Sequence, residues 1–187
     1  MINNPNPQII YLIRHASPDW GRTDIPYDIP PGPPLTLKGQ LEAQALGVFL
    51  DNVGIKKLYY SPLERSTHTA QIAAAVAKVP AVEQAGLAEW RTGETDTEIK
   101  TRFWPLLESI IEESTQAGPL GLVTHGGPIA YLLKQLGIDP ARLEKHRQMF
   151  DHSNPLPPAG VWAVHRNSSA ETWDLQLVFT PPQVQVS

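Results

Sequence analysis

The sequence feature that most restricts the fold is a run of five apolar residues, 9–13, that stops at Arg14 and His15. A short run that is apolar throughout is typical of a strand buried on both faces, as in a parallel sheet covered by helices. In open α/β sheets, ligands bind in the crevice beyond the carboxyl ends of the strands. The run therefore predicts that Arg14 and His15 lie where such a fold binds its ligand.

The same arrangement recurs later, where a mostly apolar run, 120–124, ends at His125. Further strand patterns lie at 58–60, 81–82, 161–164 and 173–178. Helical patterns lie at 37–51, about 62–77, 95–110 and from 129 onward. Strands that alternate with helices predict an α/β fold: a three-layer sandwich whose largely parallel central sheet has helices on both faces.

Local signals mark the ends of these helices. Thr36 is a good N-cap for the first, and Ser61 with Glu64 has the pattern of a capping box for the second. Thr95 and Glu98 form another capping box, and Pro105 is predicted to kink or restart the helix that follows. The apolar stripe expected to pack the first helix on the core consists of Leu37, Leu41, Ala45, Val48 and Phe49.

Composition excludes several classes of protein. The 187 residues carry a net charge of −4, without the basic excess of a general nucleic-acid binder. No apolar stretch is long enough to cross a membrane, and residues 1–7 lack the charged and apolar regions of a secretory signal. The absence of cysteine suits a reducing compartment, so we expect a cytoplasmic location. We expect one domain over residues 1–187, with 1–8 and 181–187 as loose ends.

Arg65 is a candidate for binding an anion. It follows Ser61 and Pro62, which favour the start of a helix, and lies one turn before Thr69. The unpaired N–H groups and the dipole at a helix N-terminus favour negative charge. Taken alone, Arg65 would equally suit a solvent-facing position, and His125 the role of a hydrogen-bonded structural histidine.

Four motifs follow one another at element boundaries. They are Arg14-His15, Ser61-Pro62-Leu63-Glu64-Arg65 with Thr69-Ala70, Leu87-x-Glu89-x-x-x-Gly93, and Thr124-His125-Gly126-Gly127. In this order they resemble the histidine phosphatase superfamily, also called phosphoglycerate mutase-like. The resemblance covers roughly residues 8–135, and Leu35-Thr36-x-x-Gly39 is similar to the opening of the family's first helix.

The resemblance implies a covalent mechanism through a phosphohistidine, with five catalytic residues. His15 would attack phosphorus as a neutral imidazole, splitting one transfer into two displacements. Arg14 and Arg65 would pair with the phosphate oxygens, and His125 would add a donor in the transition state. Glu89 would act as the general acid and then as the base that activates water.

The predicted substrate-binding set is wider and comprises Arg14, Ser17, Arg22, Arg65, Trp90 and Gly126. Gly21 stands where the family often has an asparagine that contacts phosphate. Either Ser17, Arg22 or Thr23 supplies the missing donor, or phosphate binding is weaker; the sequence leaves these alternatives open. Ala16 replaces the family's usual glycine and loses that residue's freedom at positive φ. Glu89 needs a raised pKa to act as an acid, from burial or from Glu94 as a neighbouring carboxylate.

The expected activity is that of a metal-independent, histidine acid phosphatase-like phosphomonoesterase without a cofactor. Its substrate would be a phosphorylated small molecule or a phosphoprotein, with no nucleic acid or membrane as partner, and it would work as a monomer or homodimer. Two alternatives stay open: a phosphoglycerate mutase-like phosphotransferase, and a phospho-ligand or phosphoprotein binding module that has lost catalysis. A metal site is disfavoured because the six histidines are dispersed, and only His146, Asp151 and His152 come near to a ligand cluster.

Overall fold

The structure, a computed structural model, describes residues 8–167 and 172–183. The strands are β1 (Ile9–Arg14), β2 (Lys57–Tyr60), β3 (Ala81–Glu83), β4 (Leu120–Thr124), β5 (Val161–Asn167) and β6 (Thr172–Phe179). The α-helices are α1 (Leu37–Asn52), α2 (Glu64–Ala77), α3 (Asp96–Ala117), α4 (Gly126–Gln135) and α5 (Pro140–Met149). Short 3-10 turns lie at Ala85–Leu87 and Asp151–Ser153.

The strands form one sheet in the order β3-β2-β4-β1-β5-β6. The first four strands of the chain pair in parallel, whereas β5 runs antiparallel to both β1 and β6. β1 lies beside β4 in a register that aligns Arg14 with Thr124. The residues that follow, His15 and His125, therefore leave the same edge of the sheet next to each other.

Helices cover both faces of this sheet, and each face has its own apolar core. On one face, α3 and α4 pack Phe103 and Leu132 with Leu12 of β1. On the other face, α1 and α2 pack Leu46 and Ala73 with Ile13 of β1. Adjacent β1 residues point into opposite cores, which is why the strand is apolar throughout. The predicted three-layer α/β sandwich with a largely parallel sheet is confirmed.

The first helix packs through a face other than the predicted stripe. Leu37 and Val48 of that stripe are exposed. The buried positions of α1 are Gly39, Glu42, Ala43, Leu46, Gly47 and Leu50. A Cβ at Gly39 would lie 2.3 Å from the backbone oxygen of Ser17, and one at Gly47 would lie 2.6 Å from the Cβ of Val76. The two glycines therefore select the packed face, because they let neighbouring backbone and side chains approach closely.

The helix ends confirm two predictions and contradict one. Thr36 caps α1, and Thr95 and Glu98 form the capping box of α3. The capping box predicted for α2 is wrong, because the helix begins only at Glu64 and its N-cap residue makes no side-chain hydrogen bond. The hydroxyl of Ser61 instead contacts a histidine of the candidate site.

Pro105 does not restart its helix, so that one of the two predicted outcomes is wrong; the alternative, a kink, stays a prediction. α3 runs without interruption from Asp96 to Ala117. Phe103 and Leu107, on either side of the proline, are buried in the same core. This packing holds both halves of the helix to the sheet and compensates for the hydrogen bond that proline removes.

The chain beyond α4 adds a helix that the sequence pattern did not predict. α5 buries only Leu143 and ends one residue before the turn Asp151–Ser153. Most of the predicted loose ends, residues 1–7 and 184–187, lie outside the described residues. The single-domain assignment stays a prediction. Within the described residues, no helix combines the length and the apolar character needed to cross a membrane.

Candidate active site

β1 and β4 bring His15 and His125 together at the carboxyl edge of the sheet. Their ring centroids are 5.2 Å apart and the rings are tilted by 56°. Both side chains are buried. The backbone N–H of His15 donates to the carbonyl of Thr124 at 2.9 Å, and that of Ala16 donates to the hydroxyl of Thr69 on α2 at 2.9 Å. The loop that carries the first histidine is thus tied to a strand and to a helix.

His15 is held in the tautomer that a nucleophile needs. Its Nδ1 lies 2.8 Å from the carbonyl oxygen of Ala16. Because a carbonyl only accepts, Nδ1 carries the proton and Nε2 keeps its lone pair. Burial lowers the pKa of His15 well below its usual value, and the charges of Arg65 and Arg14 lower it further. The ring is therefore neutral at neutral pH, with an unprotonated Nε2.

His125 presents its Nδ1 to the same space. Its Nε2 lies 2.8 Å from the hydroxyl oxygen of Ser61, which accepts the backbone N–H of Leu63. Because a hydroxyl both donates and accepts, this contact suits a ring proton on either nitrogen. Nδ1 has no hydrogen-bond partner among the described residues and lies 3.5 Å from a carboxylate oxygen of Glu89. Burial, followed by the charge of Arg65, lowers the pKa of His125 well below its usual value.

Arg14 is oriented by a carboxylate and a carbonyl. Its Nη1 and Nη2 donate to the two carboxylate oxygens of Asp151 at 2.6 and 2.8 Å, and Nη1 also donates to the carbonyl of Leu156 at 3.1 Å. Nε is buried and has no partner within the described chain. The guanidinium therefore keeps the edge formed by Nε and Nη2 for another bidentate acceptor.

Arg65 presents the same edge. Its Nη1 donates to the backbone carbonyl of Tyr27 at 2.7 Å, and its Cζ lies 3.8 Å from the centroid of the Tyr27 ring. Nε and Nη2 are buried without hydrogen bonds from the residues that the structure describes. Nη2 is 3.5 Å from a carboxylate oxygen of Glu89, an ion-pair contact that is long for a hydrogen bond. Arg65 is in the first turn of α2, as predicted.

Glu89 is a mostly buried carboxyl between Arg65 and His125. Burial raises its pKa, and the backbone N–H of Trp90 and the charges of the two arginines oppose that rise. The suggestion that Glu94 raises it is wrong, since the Glu94 carboxylate is bound by Arg102 at 2.6 and 2.8 Å. Burial therefore shifts the pKa of Glu89 in the direction that a general acid needs.

Three of the five predicted catalytic residues, Arg14, His15 and Glu89, line a cavity of about 330 Å³, whereas Arg65 and His125 are not among its lining residues. Its lining residues are Arg14, His15, Trp20, Tyr27, Glu89, Gly126, Gly127, His152 and Asn154. Gly126 is required at the start of α4, because a Cβ there would lie 1.5 Å from the side-chain oxygen of Asn154. A cavity of about 460 Å³ beside Trp104 and Trp173 is larger, but none of the predicted site residues lines it.

An aromatic stack forms one side of the cavity mouth. The rings of Trp20 and Tyr27 are nearly parallel, with centroids 4.6 Å apart. The ring centroid of His152 lies 5.0 Å from that of Trp20. Trp20 remains 50% exposed. The stack gives the cavity an apolar side, next to the polar side chains of Arg14, His15 and Glu89.

Two of the predicted substrate-binding residues lie away from this cavity. The hydroxyl and backbone N–H of Ser17 both donate to the carboxylate of Glu42. Arg22 is exposed and makes a bidentate pair with Asp24 at 2.9 Å. A binding role for either stays a prediction.

Trp90 and Ala16 differ from expectation in smaller ways. The indole N–H of Trp90 donates to the backbone carbonyl of Glu94, and its ring packs edge-on against Tyr131, beside the cavity rather than lining it. Ala16 is not among the described residues with positive φ. Alanine therefore fits at the position where the family usually has glycine.

His15, Glu89 and His125 place one ligand atom each within 4.8 Å of one another. Two imidazoles and a carboxylate suit a transition metal by ligand type. The guanidinium of Arg65 lies 3.5 Å from the same carboxylate, and Arg14 also acts on His15 electrostatically. The two buried guanidiniums repel a metal cation, so the charge of the site favours an anion instead.

Sequence reasoning missed the contribution of the segment after α5. Asp151 orients Arg14, while His152 and Asn154 line the cavity. The signal present was the proximity of Asp151 and His152 to His146, interpreted only as a weak metal cluster. His146 instead packs edge-on against Trp162.

Residues 10–98 match the family model described as histidine phosphatase superfamily (branch 1). These residues belong to the histidine phosphatase superfamily. The matched segment contains four of the five predicted catalytic residues, all except His125. The resemblance to phosphoglycerate mutase-like histidine phosphatases is confirmed. No curated protein matches the chain by sequence.

Solved structures of low sequence identity share the histidine phosphatase fold with this chain. A phosphoglycerate mutase from Bacillus anthracis is 16% identical, with a TM-score of 0.75 and 93% of each chain covered. A mycobacterial glucosyl-3-phosphoglycerate phosphatase in complex with VO3 is 17% identical, with a TM-score of 0.70, and covers 93% of this chain and 99% of its own. The same enzyme with inorganic phosphate has a TM-score of 0.69 at 17% identity, with 95% of this chain and 99% of its own covered.

Proposed function

We propose that this chain hydrolyses phosphomonoesters through a phosphohistidine on His15. The supporting observation is a set of buried nitrogen atoms without hydrogen-bond partners among the described residues: three guanidinium donors, Nε of Arg14 and Nε and Nη2 of Arg65, together with Nδ1 of His125. Buried polar groups are nearly always paired, so unpaired donors near one histidine call for a ligand rich in acceptors. A phosphoryl group offers such acceptors together with the negative charge that two guanidiniums require.

In the first step, Nε2 of His15 attacks phosphorus and the ester P–O bond breaks. The two guanidinium edges hold the non-bridging oxygens and balance their charge, and Nδ1–H of His125 donates to one of them. Glu89, whose pKa is raised by burial, acts as the general acid and gives a proton to the leaving oxygen. The products of this step are the alcohol and the phosphorylated imidazole.

In the second step, water attacks the phosphorylated imidazole and the N–P bond breaks. Glu89, now a carboxylate, takes a proton from the attacking water. Inorganic phosphate leaves and Nε2 regains its lone pair. The proton of His15 stays on Nδ1, hydrogen-bonded to the Ala16 carbonyl throughout, which keeps the ring aligned for both steps.

We propose a phosphorylated small molecule as substrate, because about 330 Å³ accommodates a phosphoryl group and a modest leaving group. Arg14 is the only lysine or arginine among the described residues that line the cavity. A substrate with a second anionic group, such as the carboxylate of a sugar acid, would therefore have no further lysine or arginine in the cavity to pair with it. This observation favours hydrolysis over the mutase alternative. The cytoplasmic location and the monomeric or dimeric state stay predictions.

The test is release of inorganic phosphate from a panel of phosphomonoesters, with His15→Ala as the inactive variant and the exposed His68→Ala as its matched control. We expect wild type and His68→Ala to turn over the same esters and His15→Ala to lose activity at least 1000-fold. Acid quenching during turnover should trap a phosphoryl group on the peptide that contains His15. Phosphate released in ¹⁸O-labelled water should carry one solvent oxygen.

Failure would be recognised in two ways. A protein that binds phosphate but turns over no ester would be the binding module. Transfer of the phosphoryl group back to an alcohol, without solvent oxygen in the product, would indicate a phosphotransferase. Activity that persists in a strong chelator is expected, because the proposed charge stabilisation comes from the two arginines.

A further inference from the structure

Tyr27 contacts both Arg65 and His15 in the proposed phosphoryl site, although no sequence motif includes it. Its backbone carbonyl accepts from Nη1 of Arg65, and its ring centroid lies 3.8 Å from Cζ of the Arg65 guanidinium. Its hydroxyl lies 3.3 Å from Nε2 of His15. Since Nε2 is unprotonated, the phenol is the donor in this contact.

The position of the hydroxyl has a direct chemical meaning. Reacting atoms in a near-attack arrangement lie about 3–3.5 Å apart, so the phenol oxygen of Tyr27 is as far from Nε2 as an attacked phosphorus would be. The phenol and a phosphoryl group cannot share that place. The hydroxyl and the ring of Tyr27 move together, so the whole side chain must tilt about its own torsions to admit a phosphoryl group. Nε and Nη2 of Arg65, which the ring leaves unpaired, are then free to bind it.

We propose that Tyr27 is a catalytic residue whose hydroxyl donates to Nε2 of His15 in the free protein and to a non-bridging phosphoryl oxygen once an ester is bound. This inference rests on the proposed function. In the free protein the hydrogen bond keeps the imidazole in place. In the complex the donor shares the charge of the phosphoryl oxygens with the two guanidiniums and with His125, without transferring its proton.

The deciding variant is Tyr27→Phe, which removes the hydroxyl and keeps the ring over Arg65. Its matched control is Tyr11→Phe, because Tyr11 packs against Phe49 in the core between the sheet and helices α1 and α2. We expect kcat/KM to fall about 10- to 100-fold in Tyr27→Phe and to stay within twofold in the control. Tyr27→Leu, which also removes the ring, should lower kcat/KM further by raising KM.

Vanadate and inorganic phosphate provide readouts that do not depend on turnover. Five-coordinate vanadate resembles the transferring phosphoryl group, so its affinity should weaken in Tyr27→Phe by a factor similar to the loss in kcat/KM. Inorganic phosphate should weaken less. Calorimetric titration of both ions into wild type, Tyr27→Phe and Tyr11→Phe measures these affinities.

Two results would overturn the role of Tyr27 alone. One is wild-type kcat/KM in Tyr27→Phe, and the other is a loss of turnover with vanadate affinity unchanged. Failure of the proposed function has a different signature, namely that the wild-type protein turns over no ester or that His15→Ala keeps its activity. The two failures are therefore separable within one set of proteins.

Discussion

Arg14 and Asp151 face each other as a bidentate pair, with N–O distances of 2.6 and 2.8 Å, although 137 positions separate them in the chain. The guanidinium is buried and the carboxylate side chain is 38% exposed. The turn that presents the carboxylate has His152 and Ser153 both at positive φ, 50° and 54°, where non-glycine residues are strained. This pairing fixes which edge of Arg14 is left for an anion.

Removing the Asp151 carboxylate should loosen Arg14 without removing it. We expect Asp151→Ala to lower kcat/KM about 10- to 100-fold, largely through KM, because an unheld guanidinium must be ordered by the substrate. Steady-state kinetics on one ester measures the change. Asp174→Asn, an exposed acid on β6, is the control. An Asp151→Ala enzyme with a lower KM would show instead that the carboxylate competes with phosphate for Arg14.

A positive charge that lacks the planar, two-donor geometry of a guanidinium should not be sufficient for phosphate binding at position 65. In Arg65→Lys, one ammonium replaces the Nε and Nη2 edge and cannot give two parallel hydrogen bonds. We expect a loss of about 2–3 kcal/mol in transition-state stabilisation, or roughly 100-fold in kcat/KM. Kinetics and phosphate titration measure it, with the exposed Arg142→Lys as control. Near wild-type affinity for phosphate in Arg65→Lys would contradict the two-edge site.

The role of Glu89 is tested by the leaving group. Glu89→Gln cannot protonate the departing oxygen, so alkyl phosphates should slow by at least about 100-fold. A 4-nitrophenyl ester needs little protonation and should slow far less. The ratio of the two rates is the measurement, and the exposed Glu83→Gln is the control. Equal losses on both esters would remove the general-acid assignment.

The stability of the fold should depend on pH through its two buried histidines. Their pKa values are lowered in the folded protein, so below about pH 6.5 the unfolded chain binds protons that the native chain does not. Stability is therefore full above that pH and falls as the pH is lowered, by up to about 1.4 kcal/mol per pH unit for each histidine. Glu89 acts in the opposite sense, because its raised pKa lets the native chain keep a proton that the unfolded chain loses as the pH rises.

Urea unfolding at pH 7.5, 6.5 and 5.5 measures this dependence. His15→Asn should remove about half of the slope, while the exposed His68→Asn should leave it intact. A stability that is flat between pH 7.5 and 5.5 would mean that the two rings are not buried as neutral groups.

The parts of the site that the sequence predicts are those tied to strand ends. His15 and His125 follow apolar runs, and such runs identify buried parallel strands whose carboxyl ends meet at one edge. Arg65 was found because helix-start residues precede it, even though the capping itself was misassigned. The local sequence pattern was sufficient to predict each of these positions, because the strand or helix next to each side chain determines where it lies.

The parts that were missed depend on contacts between segments distant in sequence. Nothing near Asp151 indicates that α5, a polar helix with one buried leucine, returns the chain to Arg14. The sequence suggested Tyr27, with Trp20 and Trp90, only as an aromatic wall of the pocket. Its contact with His15 was missed, because it depends on a proline-rich loop that packs against Arg65 and Trp20. The misassigned face of α1 had a visible signal in Gly39 and Gly47, eight residues apart and so on the same side of the helix.

His15 and His125 directly follow β1 and β4, two neighbouring strands whose register is fixed by backbone hydrogen bonds. The cavity mouth, in contrast, is built from the loops that carry Trp20 and His152. A one-residue insertion within β1 or β4 would swing a ring to the opposite side of the sheet. Changes of length or composition in the mouth loops leave that alignment untouched. The chain can therefore acquire a new leaving-group preference over evolutionary time, or in a laboratory library, while its reaction centre stays fixed.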